Sequence, residues 1–179
     1  AKIVSSKKKT PLSISSKNLY NDQQFSQQLS LQEYLKNIPG VFSTSANNFS
    51  QDLRLSIRGF GARSSFGIRG IKIIVDGIPQ TSPDGQTQLD NLPIGIMETI
   101  EVIRGPSANL YGNSSGGVIT INTISGDTEN VTNYKGIVGS YDYKSVVRLK
   151  TFNWENTDLV LYYDNKESNG YRELSGHKN

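Results

Sequence analysis

The chain is cut into strand-length pieces. Its best apolar run, Ile71-Lys72-Ile73-Ile74-Val75, is five residues long and ends at once in the turn pair Asp76-Gly77. A membrane-spanning helix needs roughly 18 consecutive apolar residues, and nothing here approaches that length. Glycine (17 of 179 residues) and proline (6) punctuate the rest, so the backbone turns often and the buried elements must be short. The length allows one domain with its own core and an appendage.

One segment has helical periodicity. Leu31, Tyr34, Leu35 and Ile38 fall on one face, Pro39-Gly40 follows them, and Ser30 stands three residues before Glu33 as in a capping box. This predicts a capped helix over about 31–37. Strands are predicted at 53–58, where Leu53, Leu55 and Ile57 alternate with Arg54, Ser56 and Arg58, and at 71–75, 98–104 and 118–123. A compact mixed sheet of these four strands, packed on the helix, is the expected core. Pro106 and Gly112 frame a further short helix. Helices and strands lack the regular alternation of a doubly wound sheet, so the class is α+β. Past Ser125-Gly126 the pattern changes to three alternating segments near 131–139, 144–154 and 158–166, separated by Ser140-Tyr141-Asp142 and Glu155-Asn156-Thr157. In the third, Leu159, Leu161 and Tyr163 share one face and Asp158, Val160, Tyr162 and Asp164 the other, which is the dyad pattern of a membrane-barrel strand.

Charge excludes one class of function. The net +3 arises from five lysines and no acid in residues 1–17; residues 18–126 and residues 127–179 each hold seven basic and eight acidic groups. A nucleic-acid-binding domain carries its cations as a patch on the fold, whereas here only Lys7-Lys8-Lys9 cluster, in a polar leader expected to be mobile through Lys9. The start, Ala1-Lys2-Ile3-Val4, has no apolar signal-peptide core. Without cysteine there is no disulfide and no thiolate metal site, and one histidine with dispersed carboxylates such as Asp84 and Asp90 offers no ligand spacing. No metal, cofactor or nucleic-acid partner is expected, and any iron would have to arrive inside a chelator.

Two motifs mimic catalysis. Gly112-Asn113-Ser114-Ser115-Gly116 fits the G-x-S-x-G of hydrolases, but that elbow needs a strand before it and a helix after it, the reverse of the order here, and His177 lies in the tail. Gly59-Phe60-Gly61-Ala62-Arg63-Ser64 begins like a dinucleotide fingerprint yet has Ser64 where the third glycine is required. The same stretch gathers Arg58, Arg63 and Arg69 among glycines, which suits either an anion-holding loop or a solvated surface connection.

Six phrases occur in a fixed order: Leu35-Lys36-Asn37-Ile38-Pro39-Gly40-Val41, Ser56-Ile57-Arg58-Gly59-Phe60, Ile74-Val75-Asp76-Gly77-Ile78-Pro79, Ile100-Glu101-Val102-Ile103-Arg104-Gly105-Pro106, Leu110-Tyr111-Gly112 and Gly116-Gly117-Val118-Ile119-Thr120-Ile121. Together they resemble the plug of TonB-dependent outer-membrane receptors. Gly139-Ser140-Tyr141 and Asn169-Gly170-Tyr171-Arg172 resemble the first outer turn and second outer loop of that family's barrel. The resemblance implies a non-enzymatic gate in the outer membrane, seated in a barrel of about 22 strands. The gate would bind an extracellular ligand and be opened by energy from the TonB protein. It divides the chain into a flexible leader (1–20), a plug with a small mixed sheet and short helices (21–126) and about three antiparallel strands opening a transmembrane barrel (127–179).

Carried over residue by residue, the resemblance implies ligand contacts in three outward loops: Asn47 and Asn48; Arg63, Ser64 and Ser65; Asp84, Gly85, Gln86 and Gln88. It implies a plug–barrel lock at Arg58 and Arg104, and a TonB contact at Lys2, Ile3 and Val4 by strand addition, with the leader facing the periplasm. Phe60 to Gln88 is most similar to the ferric-citrate and siderophore type, so a ferric chelate is the expected cargo. Val147, Leu149, Leu159, Leu161 and Tyr163 are expected to share the lipid face of the tail, whose two open edges favour self-association. A soluble secreted α+β binding module is the competing reading.

Overall fold

In the computed structural model, residues 14–19, 30–44, 53–64, 67–87, 89, 92–105, 111–112, 114–125, 130–155, 157–173 and 175–178 are described. In chain order the elements are β1 (Ile14–Asn18), α1 (Gln32–Leu35), β2 (Val41–Thr44), β3 (Arg54–Ile57), β4 (Ile68–Arg69), β5 (Ile71–Val75), β6 (Ile78–Pro79), β7 (Gln86–Thr87), the 3-10 turn η1 (Ile94–Ile96), β8 (Met97–Arg104), β9 (Gly117–Thr123), β10 (Thr132–Val138), β11 (Lys144–Trp154), β12 (Thr157–Ser168) and β13 (His177–Lys178). The described residues divide into two units. One comprises residues 1–92 and 97–123, the other residues 93–96 and 124–179.

The first unit is built on a five-stranded sheet in the order β1-β8-β9-β5-β6. β5 and β9 run parallel, Ile71 opposite Gly117 through Val75 opposite Ile121, and the remaining pairs are antiparallel. The middle of the sheet is apolar because its strands are covered: Ile71, Ile73, Ile100, Val102, Val118, Ile119 and Ile121 are fully buried. Burying side chains of this size is worth about 1.5–3 kcal/mol each. Gly117 is obligatory in β9. Its φ is +144°, and a Cβ there would stand 2.3 Å from the Ile103 carbonyl oxygen on the neighbouring strand. The β5–β6 hairpin turns through Asp76 and Gly77, both at positive φ, as a tight two-residue hairpin requires. The Asp76 carboxylate then accepts the Thr123 N–H (2.8 Å) and hydroxyl (2.8 Å), tying that turn to the end of β9.

Three expectations change here. The strand of 53–58 forms, as β3, but pairs with β2 in a separate hairpin instead of joining the mixed sheet. Alternation specifies which face of a strand is buried and says nothing of which strand lies beside it. Residues 14–18, assigned to a flexible leader, are β1 at the sheet edge, where Ile14 faces Ile103 and the polar Ser15, Ser16 and Lys17 are tolerated because one side of the strand is unpaired. Leu19 follows, fully buried, its N–H donating to the Glu98 carbonyl at 2.7 Å. The helix is a single turn. Leu31, Tyr34, Leu35 and Ile38 are buried as the periodicity requires, but the N-cap is Leu31 with no side-chain cap, and the Glu33 amide donates to the Ser30 carbonyl at 3.2 Å. Ile38 N–H reaches back only to Leu35, tightening the turn before Pro39. The short helix framed by Pro106 and Gly112, and the leader through Lys9, fall mostly or wholly outside the described residues.

The second unit is an antiparallel sheet in the order β10-β11-β12-β13. β11 alternates strictly: Ser145, Val147, Leu149 and Thr151 are buried, while Lys144, Val146, Arg148 and Lys150 are exposed. Register extends both faces. Lys135, Asp164 and Tyr162 lie beside Val147 and Leu149; Tyr134, Tyr163, Val138 and Leu161 lie on the exposed side. Val147 and Leu149 therefore do not share a face with Leu159, Leu161 and Tyr163 as expected. In antiparallel strands, directly opposed residues share a face, and Leu149 stands opposite Tyr162, not Tyr163. η1 belongs to this unit, and Gly95 lies so close to the Tyr162 ring that a Cβ would stand 2.5 Å from it.

Candidate functional site

Two of the three loops expected to face outward share one support. The first leaves β3 through Arg58 (φ +50°) and Gly59, closes as Ile57 and Phe60 exchange backbone hydrogen bonds, and passes Gly61, whose Cβ would meet the Leu55 carbonyl oxygen at 2.5 Å. Arg63 is exposed at its tip and Ser64 is half-buried beside it. The chain then enters β4, which pairs with β7 through Ile68 opposite Thr87 and Arg69 opposite Gln86. The other loop, 80–87, is fastened from within. Ser82 and Gln86 are joined through Ser82 N–H to the Gln86 carbonyl (2.9 Å), Gly85 N–H donates to Ser82 O (2.9 Å), Asp84 Oδ1 accepts the Gln86 N–H (3.2 Å), and the Thr87 hydroxyl meets the Thr81 hydroxyl at 2.9 Å. The Arg69 guanidinium donates to Gln86 Oε1 at 3.3 Å across the two loops.

Of the ligand residues expected from sequence, Arg63, Ser64, Asp84, Gly85 and Gln86 lie on these linked loops. Arg63 and Asp84 are exposed, Ser64 and Gln86 half-buried, and Gly85 buried at φ +80°. Asn47, Asn48, Ser65 and Gln88 lie outside the described residues. Arg69 is the residue that sequence reasoning grouped with an anion loop without placing it at the ligand surface. Its signal was the spacing Gly67-x-Arg69-Gly70: a Cβ on Gly67 would stand 2.8 Å from the Gln86 side-chain nitrogen, so the bare glycine leaves room for the two loops to touch.

The two arginines expected to form a lock converge. The Arg104 guanidinium donates to the Pro39 carbonyl at 2.7 Å, and a Cβ on Gly40 would touch the stems of Arg104 (3.6 Å) and Arg58 (3.8 Å) together. The turn that ends α1 is thus the shelf on which both cationic side chains rest. Lys72 is held elsewhere, its ammonium donating to the Tyr111 carbonyl at 2.7 Å. Ser114, three residues ahead of β9, is fully buried and its hydroxyl has no hydrogen-bond partner among the described residues; a nucleophile elbow exposes its serine after a strand. Among the described residues no three His, Cys, Asp or Glu side chains gather as a metal site, and no helix is long and apolar enough to cross a membrane. Lys2, Ile3 and Val4 lie outside the described residues.

Residues 6–118, well over half of the chain, match the TonB-dependent receptor plug domain family. The chain belongs to that family. Its relatives are receptors and transporters of the outer membrane: it is 32% identical over 100 residues to the vitamin B12 transporter BtuB of Vibrio vulnificus, covering 55% of this chain and 16% of that protein. It is 36% identical over 94 residues to the hemin receptor of Yersinia enterocolitica, covering 51% and 12%. The chain thus spans under a fifth of the length of either relative. Among solved structures it resembles the ferric yersiniabactin uptake receptor FyuA of Yersinia pestis (TM-score 0.63, 20% identity, 87% of this chain and 24% of that one). It resembles the ferric preacinetobactin receptor BauA of Acinetobacter baumannii equally well (TM-score 0.64, 18% identity, 89% and 23%). Those likenesses extend beyond the plug residues and give the architecture: a plug with a mixed sheet, followed by antiparallel strands that open a transmembrane barrel.

Proposed function

We propose that this plug gates an outer-membrane active transporter, receives a chelated cargo on its linked loops and answers TonB through its leader. The observation that carries the reading is the tether between residues 58–70 and 80–87. The β4–β7 ladder and the Arg69–Gln86 hydrogen bond hold a cation, Arg63, and a carboxylate, Asp84, on loops fastened to a buried sheet. Polar groups fixed in advance lose little freedom when a ligand arrives, which is where affinity for a hydrophilic guest comes from. Arg63, Ser64, Asp84 and Gln86 are the contacts we assign within the described residues, with Asn47, Asn48, Ser65 and Gln88 completing the loops. A siderophore-type ferric chelate suits this mixture of donors and carboxylate. Arg58 and Arg104, stacked on one turn, carry two positive charges to one place and fit a lock against barrel carboxylates. Lys2, Ile3 and Val4 would add as a strand to TonB. The exposed face bearing Tyr134, Val138, Leu161 and Tyr163 favours the membrane reading over a soluble module.

The test is cargo binding and uptake in a full-length receptor carrying this chain. Arg63→Ala and Asp84→Ala are expected to weaken binding about tenfold each, the worth of one charge-assisted hydrogen bond. Ser114→Ala should leave both unchanged. Loss confined to Ser114→Ala would overturn the assignment.

A further inference from the structure

The exposed face of β10–β12 is not uniformly apolar. Arg148 lies between Tyr134 and Tyr163, and Lys150 between Thr132 and Leu161. Both cations are exposed, and they follow each other on one face of β11, about 7 Å apart along it. β11 has 11 residues, the length a tilted barrel strand needs to cross the hydrocarbon. Arg148 and Lys150 are its fifth and seventh residues, so both stand near mid-depth, where a cation facing lipid is most costly. Among the described residues neither is in an ion pair; the pairs on these strands join Lys166 to Asp164 and Lys178 to Glu167. Lys150 brings its ammonium 4.6 Å from the centre of the Phe152 ring, which offers a ring face and no full counter-charge. Thr132, Gly136 and Asn165 continue the face without adding apolar bulk. Ionisable residues at such depth sit against protein, paired with a group of opposite charge.

We propose that this strip of β10–β12, centred on Arg148 and Lys150, docks a different integral protein of the same membrane, one that presents carboxylate side chains at mid-depth. The inference rests on the barrel reading above and assigns a partner to one outer surface of it. Depth excludes lipid headgroups, which lie at the two edges of the hydrocarbon. A second copy of the chain fails as well. Two copies inserted the same way are related by an axis along the membrane normal, so each cation meets residues of its own level, which here are Tyr134, Tyr163, Thr132 and Leu161. The one strand carboxylate on this face is Glu167, about 13 Å along β12 from Tyr163, and Lys178 already approaches it at 3.7 Å. A carboxylate from another protein meets what is missing. The Arg148 guanidinium supplies the planar fork that binds it through two parallel hydrogen bonds, and Lys150 adds a second charge on a flexible stem. The exposed rings of Tyr134 and Tyr163 flank the guanidinium, the combination of tyrosine and arginine in which interface centres are enriched.

The experiment is photo-crosslinking of the full-length receptor in its own outer membrane, with p-benzoylphenylalanine at Leu161, beside Lys150 on this face. One adduct with a second membrane protein is expected, and its crosslinked segment, once sequenced, should carry Asp or Glu. The double variant R148Q/K150Q should lower the adduct yield about tenfold, and K144Q, at the end of the strand, should leave it unchanged. R148E/K150E should abolish the adduct until those partner carboxylates are replaced by lysine. An adduct undiminished in R148Q/K150Q, no recovery on charge exchange, a receptor–receptor adduct, or adducts with lipid alone would each overturn the proposal. A second measurement needs no partner. Folded alone in phosphatidylcholine vesicles, the purified receptor leaves both cations uncovered, so R148L/K150L should unfold at a higher guanidinium concentration than the native protein; an equal or lower midpoint overturns the proposal too. Recovery in the membrane fraction with a β-rich circular dichroism spectrum reports separately on the barrel reading; its absence would remove both.

Discussion

Asp76, Gly77 and Gly117 illustrate how much of this plug is set by single positions where the backbone leaves the ordinary regions. Gly117 and Gly77 both have positive φ, but only Gly117 faces a neighbouring carbonyl; nothing lies within 4 Å of a Cβ on Gly77. Gly77→Ala should therefore cost about 1–2 kcal/mol for the left-handed conformation alone. Gly117→Ala should cost more than about 3 kcal/mol, because β8 and β9 must also move apart. Urea unfolding of the two variants, compared by midpoint at equal slope, measures the difference. Asp76→Ala removes the two hydrogen bonds to Thr123 from an exposed site and should cost about 1–2 kcal/mol; Asp76→Asn, which keeps one acceptor, should recover part of it.

Among elements, β9 and β1 mark the extremes. Among the described residues β9 is paired on both sides, to β8 and β5, and β1 is paired only to β8. Amide exchange should accordingly be slowest at Val118, Ile119 and Ile121 and faster by orders of magnitude at Ser15 and Lys17. The contrast also separates what could be read in the sequence from what could not. β5, β8 and β9 were legible because their apolar residues recur at strand period and end in glycine turns; that Arg58 and Arg104 meet at the Pro39-Gly40 turn is a matter of packing and not of spacing. β1 was not, because Ile14-Ser15-Ser16-Lys17-Asn18 has the composition of a linker and becomes a strand only when β8 offers its edge. The single turn of α1 was overextended in sequence because Tyr34, Leu35 and Ile38 keep helical spacing in a tightened turn as well as in a helix. The Arg69–Gln86 link was invisible for a different reason: it joins residues 17 apart whose meeting depends on how two irregular loops fold.

On the scale of the whole molecule, the plug unit and the strand unit answer to different solvents. Among the described residues β10 is bonded to β11 alone, and Val138 on its exposed side is 84% accessible to water. In aqueous solution the 179-residue chain should self-associate, whereas residues 1–125 should scatter light as a monomer; equal monodispersity would count against that. The strict alternation of β11 also limits how this sequence can change over generations. Because each step along the strand exchanges one side for the other, a single codon inserted after Ser145 would turn the following residues over: Val147 and Leu149 would point where Arg148 and Lys150 now do, and the two cations would be driven into the interior. Length variation within this strand should therefore survive selection only in steps of two, with odd insertions confined to its turns, the parity of the gene being policed by the membrane on one side and the packed interior on the other.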